Sequence, residues 1–247
     1  MKRSLHFKAV AMIVAVMVLP LTACGPGSAE RKPQDAEATS WPQPPSVTEV
    51  VWNGNLAGVS GVAAPSARVV FSGESGEAYA VTADAEGQFM LWIEVPQGGL
   101  MLHPRIQVGQ TGVEGQGVMF LASHPKPVVA ILFAGEGAYR LDGNRPLDAV
   151  DSDGEAMIVT GRFAPGHRTH ILVGGQSIPV TTNEDGRWAV VTTTGPGPVD
   201  IVLDGVAYRF EGTGPASGAV SHSESGWTIR REWREGAVQT TWLPEGK

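Results

Sequence analysis

Two stretches of this 247-residue chain repeat each other at a nearly constant offset. Gly61–Phe71 parallels Gly161–Ile171, with Gly61, Ala64, Pro65 and Arg68 matched 100 residues on by Gly161, Ala164, Pro165 and Arg168. Thr82–Phe89 parallels Thr181–Trp188, with Thr82, Asp84, Gly87 and Phe89 matched 99 residues on by Thr181, Asn183, Gly186 and Trp188. Two separate blocks that share one offset imply two copies of a single structural unit. The physics inside each block is that of a β unit. A strand ends at the first glycine, a proline-containing turn follows, and a second strand begins, such as 67–71. A third strand, 79–83 or 178–182, runs into an acidic turn. There Asp84 or Asn183 can bond its own backbone, and Gly87 or Gly186 can take positive φ. Phe89 or Trp188 then opens a strand that alternates through Leu91 and Ile93, or Val190 and Thr192, and the aromatic is expected to plug a core near the turn.

The rest of the chain fits the same class. Glycine (32) and proline (18) are abundant, and apolar residues at helical spacing are hard to find. Many short strands joined by tight turns are expected, hence an all-β protein. Strands are expected at 105–109, 117–121, 128–133 and 138–141, completing a first domain over 47–145. The polar stretch 146–154 reads as a linker and 155–247 as a second domain. Within it, 212–226 reads as a loop rich in glycine and serine. A hairpin follows, in which Trp227, Ile229 and Trp233 share one strand parity and Val238 and Trp242 another. With a single cysteine no intrachain disulfide is possible, so packing alone must hold the fold.

The turn Asp84–Phe89 and its counterpart Asn183–Trp188 resemble those of two groups of extracellular β-sandwiches. These are the carboxypeptidase regulatory-like domain and the bacterial immunoglobulin-like domain. The resemblance covers about 60 residues of each copy. It implies two tandem immunoglobulin-like (prealbumin-like) β-sandwiches, which in these groups act as spacers, adhesive modules or binding modules and seldom as catalysts.

The amino terminus carries a different signal. Lys2, Arg3 and Lys8 precede an apolar run from Ala9 to Leu21. That run falls short of the roughly 20 residues a spanning helix needs, and Pro20 interrupts it. Leu21-Thr22-Ala23-Cys24 resembles a lipobox, so residues 1–23 are identified as a lipoprotein signal peptide and Cys24 as the lipidated residue. Residues 24–46 follow as a tether with Pro26, Pro33, Pro42, Pro44 and Pro45. Such a segment buries little and, at roughly 3 Å per residue, spans some tens of ångströms. With Gly25, rather than Asp, after the cysteine, the resemblance to lipoproteins implies sorting to an outer membrane, facing the periplasm. Removing residues 1–23 takes the net charge from −7 to about −10. An acidic chain without a Lys/Arg cluster excludes nucleic acid as a partner and leaves membrane attachment to the lipid.

Few residues suggest chemistry. His167 and His170 fall on opposite faces of a strand, which disfavours a shared metal. Asp151 and Asp153, with Glu155, match the third and fifth positions of a calcium loop, but Ala149 stands at the first. With Asp148 they read mainly as a solvated acidic linker. Ser123 and Lys126 have the spacing of penicillin-recognising enzymes, yet Pro125 and Pro127 deny them the helix that spacing requires. No nucleophile elbow, phosphate loop or dinucleotide fingerprint occurs. Trp227, Trp233 and Trp242, with Arg231 beside them, are the candidate binding surface, because exposed aromatics stack on sugar rings or anchor partners. The expected function is therefore a lipid-anchored, non-catalytic scaffold, spacer or interaction module without a cofactor, with an envelope protein or glycan as partner. The alternatives are carbohydrate binding through those tryptophans and a hydrolase with a dispersed site.

Overall fold

Alternation of side chains sets the architecture. In Gln88–Glu94, Phe89, Leu91 and Ile93 are buried while Gln88, Met90, Trp92 and Glu94 are exposed, the period of a strand with one face on a core. A computed structural model describes residues 42–108, 111–143, 145–214, 220–233 and 236–245. The stretches read above as a signal peptide and, up to Trp41, as a tether, with Cys24 between them, lie outside the described residues. Among the described residues there is no α-helix, and twenty strands form four antiparallel sheets.

The first repeat contributes β1 (Ser46–Asn53), β2 (Leu56–Val62), β3 (Arg68–Gly73), β4 (Ala78–Thr82), β5 (Gln88–Glu94), β6 (Leu100–Val108), β7 (Thr111–Glu114), β8 (Val118–Ala122), β9 (Val128–Leu132) and β10 (Tyr139–Arg140). Sheet A is ordered β1-β2-β5. Sheet B is ordered β10-β9-β8-β6-β3-β4, with β7 paired to β6. The second repeat contributes β11 (Ala149–Ser152), β12 (Ala156–Arg162), β13 (Arg168–Val173), β14 (Gln176–Thr181), β15 (Arg187–Thr193), β16 (Val199–Leu203) and β17 (Val206–Phe210). The carboxyl-terminal strands are β18 (Val220–Ser223), β19 (Gly226–Glu232) and β20 (Val238–Pro244). Sheet C is ordered β15-β12-β11-β20-β19-β18, and sheet D β14-β13-β16-β17.

The repeat is visible in atomic detail. Asp84 Oδ1 accepts from the amides of Glu86 and Gln88, and Asn183 Oδ1 accepts from those of Asp185 and Arg187. Gly87 and Gly186 both have positive φ, and a Cβ on either would lie 2.3 Å from a carbonyl oxygen, that of Ala63 or Phe163. Phe89 and Trp188 are both core residues, each 4% exposed. Gly61 and Gly161 are fixed by crowding: a Cβ there would meet Ser46 O and the Phe89 ring, or Pro146 O and the Trp188 ring.

Three cores result. One lies between sheets A and B, around Val59, Phe71, Phe89 and Leu102. Another lies between C and D, around Val159, Ile171, Trp188 and Ile201. The third joins the repeats. The extra strands β8 and β9 of sheet B are buried on both faces. Met119 and Leu121 point into the first core, while Val118, Phe120 and Ala122 point the other way. There they meet Ala149, Trp227, Ile229 and Leu243 of sheet C. The sheets thus stack in the order A, B, C, D, and the described residues make one compact unit.

Two stretches differ from expectation. The polar segment 146–154 holds the wholly buried strand β11, wedged between β12 and β20. Its acids are compensated by distant partners, so polar composition did not mean exposure. The stretch 212–226 is not all loop, since β18 forms within it and pairs with β19.

Candidate functional site

The carboxyl-terminal hairpin forms as expected, with Trp227 opposite Leu243, Ile229 opposite Thr241 and Glu232 opposite Val238. Its aromatics are not a surface. Trp227 is 3% exposed, edge-on to Phe120 at 5.3 Å and packed in the core between B and C. Trp242, also 3% exposed, faces the opposite way, into the core between C and D beside Phe210. Trp233 is half-buried against the core between B and C. The reading of Trp227, Trp233 and Trp242 as sugar-stacking platforms is therefore corrected. Sheet B covers one face of this hairpin and sheet D backs the other, which strand parity alone cannot reveal.

Arg231 sits at the rim of that seam. Its guanidinium lies over the Trp233 ring, 4.7 Å from the centroid, and Nη2 pairs with Glu74 at 3.4 Å and His103 at 3.5 Å. Burial, and then the charge of Arg231, lowers the pKa of His103. Arg231 thus clamps β19 to sheet B, with little left to offer a ligand.

The acidic cluster is likewise structural. Asp151 is 2% exposed, and its carboxylate accepts from Thr241 Oγ1, from Gln239 Nε2 at 2.8 Å and from the Ala138 amide at 2.7 Å. Burial nevertheless raises its pKa to about 6. Asp153 Oδ1 accepts from the amides of Glu155 and Ala156, bonds that lower its pKa and shape the turn before β12. No three His, Cys, Asp or Glu side chains come together to hold an ion among the described residues. The calcium reading of Asp151, Asp153 and Glu155, and the view of Asp148 and Asp151 as solvated, are both corrected. Asp148 is 1% exposed, and its Oδ2 accepts from Arg162 Nε at 3.0 Å. Beside it, the buried Arg140 donates to both oxygens of Asp142 and to Pro244 O. These partners lie up to 104 residues apart, so no local signal could have located them.

Of the other candidates, Ser123 is buried, while His167, His170 and Lys126 lie at the surface. His167, whose amide donates to Ala164 O, closes the turn that begins at Ala164 and lies beside the Phe163 ring, and His170 is exposed on β13. Ser123 and Lys126 flank the turn between β8 and β9, where Lys126 reaches Glu245 at 3.7 Å. The end of the first repeat forms an open cleft of about 730 Å³ that includes Asn55, Glu77, Tyr79, Glu94 and His124. Asn55 Nδ2 donates to Glu94 at 3.1 Å, and burial, then Glu77 and Glu94, raises the pKa of Tyr79. Sequence reasoning missed this cleft because its residues come from four separate segments.

On β5, Leu91 and Ile93 point into the core and Met90 and Trp92 point outward. No protein-family model matches the chain, and no curated protein matches it.

Proposed function

We propose that this protein is a lipid-anchored envelope protein that acts as a non-catalytic scaffold, spacer or interaction module. In this reading residues 1–23 are a lipoprotein signal and Cys24 carries the lipid. Residues from Cys24 to the start of β1 form the tether, and the tandem immunoglobulin-like units stand off the periplasmic face of an outer membrane. The observation that supports the mechanical part is the third core. Flexibly strung domains would share little apolar contact, whereas Phe120, Leu132, Trp227 and Leu243 interlock across the two repeats. With sheets about 10 Å apart, four stacked layers give a stiff body roughly 30 Å thick.

The test has two parts. Cys24→Ser should release the protein from the membrane fraction or leave it unprocessed, with loss of the lipid mass. Unchanged fractionation and unchanged mass would defeat the anchor. Crosslinking in intact cells should then recover a defined envelope partner; recovery of none would defeat the scaffold reading.

A further inference from the structure

Sheet A packs one face on the core and, among the described residues, leaves the other uncovered. Of the eight exposed large apolar residues among the described residues, five lie on this single surface: Val51, Leu56, Val62, Met90 and Trp92. Met90 and Trp92 are each 50% exposed. Trp92 lies across Gly58, where a Cβ would come within 2.9 Å of both the Trp92 ring and Val51. Single exposed apolar residues are ordinary, but a contiguous apolar sheet face marks an interaction site.

The repeat shows what this face does elsewhere. Where the first copy has Gly58, Ser60 and Val62, the second has Ile158, Thr160 and Arg162. There the chain covers its own sheet. Gly137 sits against Ile158 and Thr160, Thr160 Oγ1 donates to Ala138 O at 2.6 Å, and Arg162 donates to Arg140 O. The Arg162 side chain is 15% exposed as a result, while its counterpart Val62 is 46% exposed.

We propose that the outer face of sheet A is a homodimer interface, occupied by the same face of a second copy. Three strands of seven or eight residues offer on the order of 600 Å² of accessible surface. Two such faces bury about 1,200 Å², the lower bound for a specific interface. The charges set the orientation. The face carries Glu49 and Glu94 and no Lys or Arg. Glu49 on β1 is level with Met90 on β5, and Glu94 on β5 is level with Asn53 on β1. A two-fold axis running along the strands lays β1 over β5 of the second copy and seats Glu49 over Met90 and Glu94 over Asn53, so that no two carboxylates face each other. This inference goes beyond the scaffold reading and does not depend on the lipid.

Sedimentation of the purified full chain should show a dimer that dissociates on dilution from about 100 to 1 µM, the range this modest area supports. Trp92→Lys should weaken association at least tenfold while circular dichroism shows the fold retained. In a Cys24→Ser background, Ser60→Cys should be captured as a dimer by a short bis-maleimide, since facing sheets stand about 10 Å apart. His170→Cys on sheet D should not be. A chain monomeric throughout, or a dimer indifferent to Trp92→Lys and not captured through position 60, would overturn the proposal. So would a monomer whose tryptophan emission shifts to the blue on phosphatidylethanolamine/phosphatidylglycerol vesicles but not when Trp92 is replaced, which would give the face to the membrane.

Discussion

Trp227→Ala tests the claim that a shared core makes one body of two repeats. The indole is 3% exposed and makes an edge contact with Phe120. Burying such a ring removes on the order of 200 Å² from water. At about 25 cal/mol per Å² that is worth roughly 5 kcal/mol as an upper figure. Its Nε1 makes no hydrogen bond, so the substitution sacrifices no polar contact and strands no partner. Truncation of a buried Trp typically costs about 3–5 kcal/mol, and that is the expected loss. The site matters as much as the size. Met101, Val118 and Phe120 come from one repeat and Ala149, Ile229 and Leu243 from the other, so the cavity opens at the seam. Urea unfolding followed by far-ultraviolet circular dichroism should be a single transition in the wild type and separate into two in the variant. Trp92→Ala, which removes a half-exposed ring and leaves no closed cavity, should cost about 1 kcal/mol or less. Should Trp227→Ala cost no more than Trp92→Ala, or the wild type already unfold in two steps, the shared-core argument is wrong.

Further substitutions probe the buried polar groups and the repeat. Asp151 has a folded pKa raised to about 6, so its contribution to stability is fully present below the unfolded carboxylate pKa and is lost as pH rises through about 6. Relative to Asp151→Asn, the wild type should lose up to about 3 kcal/mol between pH 4 and 7 in chemical denaturation; parallel pH profiles would contradict this. Arg140→Ala leaves the Asp142 carboxylate and Pro244 O without their main donor in a buried setting, and thermal unfolding should report a loss of about 3–5 kcal/mol. Gly161→Ala drives a Cβ into Pro146 O and the Trp188 ring, so it should destabilise by at least 1–3 kcal/mol, with Gly61→Ala behaving alike in the first copy. A stable Gly161→Ala protein would mean that β12 and the 146–148 segment lie farther apart than described.

Some of this was legible in the chain because it is local. The turn at Asp84 or Asn183 is closed by bonds two and four residues away, and Gly87 or Gly186 supplies a conformation other residues resist. Alternation through Phe89, Leu91 and Ile93 gives a strand and separates its two faces from the order of residues alone. The lipobox resemblance at Cys24 is also a local pattern, although it lies outside the described residues. The candidate site was not legible. Trp92 and Trp227 look equivalent in sequence, each alternating in an apolar strand. One is half-exposed and the other is core only because sheet B lies over β19 and nothing in the described chain lies over β5. Asp148 and Asp151 read as solvated because their partners, Arg162, Gln239 and Thr241, are up to 90 residues away. Period and turn chemistry determine strands and their two faces. Which face meets water is decided when sheets stack, because burial belongs to the pair of surfaces in contact and not to either segment alone.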